Sequence, residues 1–248
     1  MADLHAKGLR QGPGSDRTTL RALALTGLDD SIPLQVADFG CGTGAATLVL
    51  AEALPSSTIT AVDLEPRFLE DLRERARERG VGHRINTLEA SLDDVPLPEA
   101  SLDLIWSEGA IYNLGFAEGV SLWRRLLRLG GILVVSEITW TTRSRPDELE
   151  DYWRREYPEI DTASAKLKLL EDAGYQPLAY FLIPETCWIE EFYRPLEARF
   201  PEFIRSASDK AAAQAIVAAE EREIELYESF REYFGYGMYL ARYRENPA

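Results

Sequence analysis

Residues 36–44 read VADFGCGTG, an apolar run that ends in an acid and then places glycines at 40, 42 and 44. Such a run is a strand that stops where bare backbone is needed, because glycine allows a sharp turn and lets a ligand approach the main chain. AATLVLAEAL (45–54) follows as a helix, so the amides at its start face whatever sits over the glycines. Strand, glycine loop and helix together form the opening unit of a parallel α/β sheet.

Working outward, the alternation continues. The first strand is 34–39, and TITAVD (58–63) is the second. Pro66 opens the next helix, which carries Phe68, Leu69, Leu72 and Ala76 on one face and stops at Gly80. Strands three and four are 84–90 and 102–108, and a helix over 117–129 is predicted to stop at Gly130-Gly131 before strand five at 132–138. A helix over 163–173 precedes strand six at 176–183. The pattern then breaks into two consecutive helices, 188–199 and 206–234, before a last strand at 235–244 that is expected to pair antiparallel at or near strand six. The predicted fold is Rossmann-like α/β: a seven-stranded, mostly parallel sheet with helices on both faces, an antiparallel last strand and a helical insertion between strands six and seven. One domain over 1–248 is expected: an N-terminal cap or lid (1–30), a core (31–183 and 235–248) and an insertion (184–234) over the acceptor site.

Composition narrows the function. The 42 acidic residues outnumber 27 basic ones, giving a net charge of -15, which works against a phosphate backbone or an anionic membrane. Nucleic acid and membrane are therefore poor partners. Cys41 and Cys187 form neither a disulfide framework nor a metal-ligand spacing, so a reducing, cytoplasmic setting without a metal is the expectation. The assembly state stays open, with a homodimer among the options.

The glycine pattern is ambiguous alone. Gly40, Gly42 and Ala45 also satisfy the dinucleotide fingerprint, with Asp63 about where its ribose-binding acid belongs. The acid just before the glycines separates the readings, since Asp38 would repel a pyrophosphate. Asp38 to Gly44, with Asp63 ending strand two, resemble motif I and the acidic residue of the class I S-adenosylmethionine (SAM)-dependent methyltransferases. LPEASLDLIWSEGAIYNL is similar to the family's strand-four region, and QGPGSDRTTLRAL and EGAIYNLGF resemble a bacterial group of small-molecule methyltransferases.

The resemblance implies a last strand inserted between strands five and six, SAM as methyl donor and S-adenosylhomocysteine as product. It implies that Gly40, Cys41, Gly42 and Gly44 line the methionine moiety, that Asp38 lies near its ammonium, that Asp63 takes the ribose hydroxyls, and that Leu64 packs on adenine. Where many members carry an acid after strand three this chain has Ser91, followed by Leu92 and Asp93, so the Leu92 amide or Asp93 would substitute. Arg17, in a glycine-rich N-terminal lid, is a candidate for the methionine carboxylate.

Methyl transfer from a sulfonium is an in-line displacement, so positioning supplies most of the rate and a base is needed only for a protonated acceptor. Glu108, Tyr112 and Glu137 follow strands four and five and are the catalytic candidates. Trp140, Trp188 and Tyr193 are the substrate candidates, and an acidic, aromatic wall would suit an amine. The competing functions are an NAD-type oxidoreductase and a non-catalytic SAM-binding regulator.

Overall fold

The computed structural model describes residues 4–5 and 8–244. Its sheet runs in the order β3-β2-β1-β4-β5-β8-β7. The strands are β1 (Gln35–Phe39), β2 (Thr58–Asp63), β3 (Ile85–Glu89), β4 (Leu102–Glu108), β5 (Leu127–Trp140), β7 (Tyr175–Leu182) and β8 (Phe234–Tyr243), with a two-residue β6 (Asp161–Thr162) beside the end of β5. β6 is an eighth strand that the periodicity did not predict, being too short to show any.

β1 lies at the reversal of strand order, parallel to β2 on one side and β4 on the other. Ligands in open α/β sheets sit beyond the carboxyl ends of the strands at such a point. β8 pairs antiparallel with both β5 and β7. Its direction follows from where the chain arrives: the last helix delivers Phe234 opposite Trp140, at the carboxyl end of β5, so the strand can only run back.

The helices are α1 (Asp16–Thr26), α2 (Ala45–Ala53), α3 (Pro66–Glu78), α4 (Phe116–Trp123), α5 (Asp147–Glu156) and α6 (Ala163–Asp172). The insertion holds α7 (Glu185–Trp188), a π-turn (Ile189–Tyr193), α8 (Arg194–Glu197), α9 (Phe200–Ser206) and α10 (Lys210–Phe230). Asp209 starts α10 by accepting a hydrogen bond from the Ala212 amide.

Gly130-Gly131 proves not to be a helix stop. α4 ends at Trp123, and β5 begins at Leu127, ahead of the glycines. Leu127 turns inward and Arg128 outward, paired with Asp103 at 2.7 Å, so strand alternation replaces the helical reading of RRLLRL. The glycines then fit the register shift opposite Leu102 and Leu104.

Strand alternation builds two core layers. Val36, Leu104, Trp106, Ile132 and Val134 pack toward α2, α3 and the insertion, while Ala37, Phe39, Ile105, Leu133 and Val135 pack toward α4 and α6. Each fully buried aliphatic side chain contributes roughly 1.5–3 kcal/mol. The layers hold the strand ends rigid, which brings the glycine loop, Asp63, Glu108 and Glu137 to one edge. No helix among the described residues is long and apolar enough to cross a membrane.

Candidate active site

The glycine loop is tied to β2. The amides of Gly40 and Cys41 both donate to the Val62 carbonyl, at 2.8 and 3.0 Å. The Gly42 amide donates to Asp63 Oδ2 at 2.8 Å and the Glu65 amide to Oδ1 at 2.9 Å, so Asp63 braces the loop from below. A Cβ on Gly40 would lie 2.2 Å from the Ala110 Cβ, and one on Gly42 would lie 2.2 Å from Gln11 Oε1. Gly44 caps α2, and burial pushes the Cys41 thiol well up, which leaves it an inert lining group.

Asp38 sits beneath the loop, 1% exposed, and accepts a hydrogen bond from Thr47 Oγ1 at 2.5 Å. Burial pushes its carboxyl up to about 7 against that hydrogen bond, with Glu108 and Asp63 adding to the rise. It opens onto a cavity of about 230 Å³, whose walls include Asp63, Phe68, Glu108 and Tyr112. Sequence periodicity placed Phe68 on the buried face of its helix. Its position one turn beyond the strand-two acid was the available sign that it faces the cavity.

Glu108 is fully engaged. Its Oε1 accepts from Trp106 Nε1 at 2.9 Å and from Thr19 Oγ1 at 2.6 Å, and its Oε2 accepts from Arg10 Nη1 at 3.1 Å. This carboxylate anchors the N-terminal segment to β4. Gln11 completes the closure, donating to Thr43 Oγ1 at 3.1 Å and accepting from the Thr43 amide at 3.0 Å. Arg10 and Gln11 thus reach the cavity, whereas Arg17 lies exposed on α1 beside a neighbouring cavity.

Tyr112 lines the 230 Å³ cavity. The residue is 47% exposed, and desolvation is the largest cause that raises its phenol, with Glu223, Glu137 and Glu220 adding to the rise. Glu137 is 1% exposed, with Oε1 accepting from the Ile138 amide and lying 3.9 Å from Lys166 Nζ, while Oε2 has no hydrogen-bond partner. Burial raises Glu137 and lowers Lys166, the directions expected of a desolvated pair.

From the insertion, Tyr193 donates to Glu223 at 3.0 Å, and burial raises Glu223 to about 7. His5, carried in by the N-terminus, lies 3.1 Å from Glu220. Glu223, on α10, and Tyr236, on β8, are half-buried. Tyr236 lies beside the turn after β4, its ring within 3.4 Å of a Cβ built on Gly109, and Gly109 lines the 230 Å³ cavity.

Other predicted residues lie elsewhere. Leu64 is 68% exposed, Ser91 is exposed and Leu92 is half-buried, and none of the three lines the 230 Å³ cavity. Trp140 is core, with Arg145 stacked over its ring at 4.1 Å and Phe234 at its edge. Trp188 is also buried and stacks on Tyr227 at 4.4 Å.

With this geometry the comparisons become informative. Residues 36–131 match a family described as Methyltransferase domain. Over that stretch, which holds the glycine loop and Asp63, the chain is similar to a methyltransferase domain. It is 30% identical over 138 residues to malonyl-acyl-carrier protein O-methyltransferase of Laribacter hongkongensis, covering 53% of this chain and 44% of that protein. It is 29% identical over 168 residues to demethylmenaquinone methyltransferase of Tropheryma whipplei, covering 67% of this chain and 63% of that protein. The match thus spans less than two thirds of either relative. Among solved structures, a SAM-dependent methyltransferase from Geobacter sulfurreducens in complex with S-adenosyl-L-homocysteine has the same fold, with a TM-score of 0.83, 19% identity and coverage of 98% and 97% of the two chains. A (4+2)-cyclase, SpnF, also shares it at TM-score 0.74 and 24% identity, over 93% of this chain and 82% of that one. The fold alone therefore does not fix the reaction.

Proposed function

We propose that this protein is a methyltransferase that binds SAM at the glycine loop and methylates a small-molecule acceptor by direct in-line displacement. The observation that carries the reading is Asp38: a buried carboxylate under a glycine loop, raised to about 7 by its burial, is a site built for a cationic group. An α-ammonium fits it. A pyrophosphate does not, which argues against the NAD-type reading.

The donor's other parts also find matching groups. Asp63 retains lone pairs beyond its two amide contacts for a ribose diol, and Phe68 offers an apolar face in the same cavity. Arg10 lies in that wall and Arg17 does not, so a donor carboxylate there would share the Arg10 guanidinium with Glu108 and Asp16. When bound, SAM supplies an electrophilic methyl group on sulfonium. The chain's part is to hold the acceptor in line with it and to exclude water, which the N-terminal segment does through Gln11 and Arg10.

In this reading the acceptor sits beside Tyr112, where the turn after β4 meets Tyr236 of β8. With Glu108 held by three donors, Glu223 and Glu137 are the better bases for an acceptor that must lose a proton. A cytoplasmic setting and a homodimer complete the proposal, and the net charge of -15 argues against nucleic acid as substrate. A calorimetric titration with SAM, S-adenosylhomocysteine and NAD side by side tests it. Micromolar binding of the first two without NAD is expected, and binding of NAD alone overturns it. A SAM-binding regulator would bind the donor yet turn over no member of an amine and phenol panel.

A further inference from the structure

Across the N-terminal segment from the cofactor cavity lies a second cavity of about 580 Å³. Arg10, Arg17, Arg75, Arg79 and Arg199 line it, against two acids, Asp16 and Glu191. Five guanidinium groups in one cavity stand out in a chain whose net charge is -15.

Two of the five are neutralised by carboxylates, Arg10 by Glu108 and Asp16, and Arg79 by Glu52. Arg75 spends its Nη1 on the Thr43 carbonyl at 2.6 Å and the Thr43 hydroxyl at 2.9 Å, neither of which carries charge. Arg199 is the informative one. Its Nε and Nη1 are buried without a hydrogen-bond partner, and burial alone moves its pKa, downward. Those two nitrogens are enclosed by protein, so the half-buried remainder of the guanidinium faces the cavity, and no carboxylate among the described residues neutralises it. The wall also includes Ser15, Asp16 and Arg17, the first residues of an eleven-residue helix whose N-terminus adds positive potential.

We propose that this cavity binds a small phosphate-class oxyanion, either inorganic phosphate or the phosphate of a small ester. Guanidinium groups present paired donors that match such an oxyanion, and Arg199 of the insertion and Arg17 of α1 are, with Arg75, the lining arginines that no carboxylate among the described residues pairs. Arg10 and Ala45 belong to both cavities, so the bound anion lies directly behind the segment that covers the cofactor side.

The test is a calorimetric titration of the full chain with inorganic phosphate and with glycerol 3-phosphate, at constant ionic strength set with chloride. Saturable millimolar or tighter binding is expected, weakened at least about tenfold in Arg199→Gln and again in Arg17→Gln, whose exposed position spares the core. Affinity for S-adenosylhomocysteine should stay within about twofold in both variants, which also reports that they are folded. Tighter binding of the ester would identify a phosphorylated small molecule, and equal binding would identify free phosphate. Binding no tighter than that of chloride, or binding untouched by both substitutions, overturns the site. Phosphate binding without any S-adenosylhomocysteine binding would remove the methyltransferase reading and leave this one standing.

Discussion

At Asp38, stability and function pull in opposite directions. The side chain is 1% exposed and its carboxyl is held near 7 by burial, so at pH 8 the fold carries a desolvated charge. Asp38→Asn removes the charge and leaves a carbonyl to accept from Thr47. The ligand-free variant is therefore expected to melt higher at pH 8, by the equivalent of about 1–3 kcal/mol, and to bind SAM at least about tenfold more weakly. Calorimetry and a melting curve on the same sample check both halves, and a variant that keeps its SAM affinity would take Asp38 out of the site. Asp63→Ala should weaken SAM by about 1.5–3 kcal/mol for each charge-assisted hydrogen bond lost, and should also loosen the Gly42 turn that it braces. That these two acids line the cavity was legible in the sequence, because both lie in the last two residues of a strand next to a motif of fixed spacing. That Leu64, Ser91 and Arg17 do not line it was not legible, because nothing in a spacing says which way a loop or helix-surface side chain turns. Leu64 follows Asp63 by one residue and points to solvent, while Phe68, one helical turn on, faces the cavity.

The N-terminal segment gains its place through one side chain of β4. Arg10, Thr19 and Trp106 all converge on Glu108, whose side chain is 9% exposed. Glu108→Ala would leave the Arg10 guanidinium without this partner and the Trp106 Nε1 without an acceptor, a loss of about 3 kcal/mol. Amide hydrogen exchange should accelerate through α1 and the segment before it, and leave β1 and β4 protected. Uniform protection in the variant would show that the segment is held by other contacts. Between elements, sequence legibility followed periodicity. β1, β2, α2, α3 and the 132–138 stretch of β5 carry enough periodic residues to declare themselves. The start of β5 did not: Leu127 and Arg128 continue a run that also suits a helix, and only pairing with β4 decides for the strand. α5 was overlooked because it shows only two buried positions, Leu149 and Trp153, one turn apart.

Taken as a whole, the molecule gathers buried acids at one end of its sheet and leaves them short of cations until ligands arrive. Asp38 and Glu223 both rise to about 7, from ordinary values of 3.8 and 4.5, with burial the largest cause in each. The groups facing Asp38 are Thr47, Glu108, Asp63 and Arg10, and those facing Glu223 are Glu220, Tyr193, His5 and Glu156. Because these carboxylates bind protons more tightly folded than unfolded, their favourable contribution is complete below their unfolded pKa values. It declines as pH rises and is lost through about 7. Acidifying the ligand-free protein from pH 8 to pH 6 should therefore raise its stability, by up to roughly 2–3 kcal/mol for the pair, and shift its melting temperature upward. S-adenosylhomocysteine should reverse the trend at Asp38. Its ammonium stabilises the carboxylate, so its affinity should fall below pH 7, approaching tenfold per unit, and level off above it. The double variant Asp38→Asn, Glu223→Gln separates this from the general relief of a -15 charge: it should lose most of the slope and keep what Glu137, which burial also raises to about 7, and surface repulsion supply. If the ligand-free melting temperature is flat between pH 8 and pH 6, or if the double variant reproduces the full slope, these two acids do not govern the molecule's response to pH.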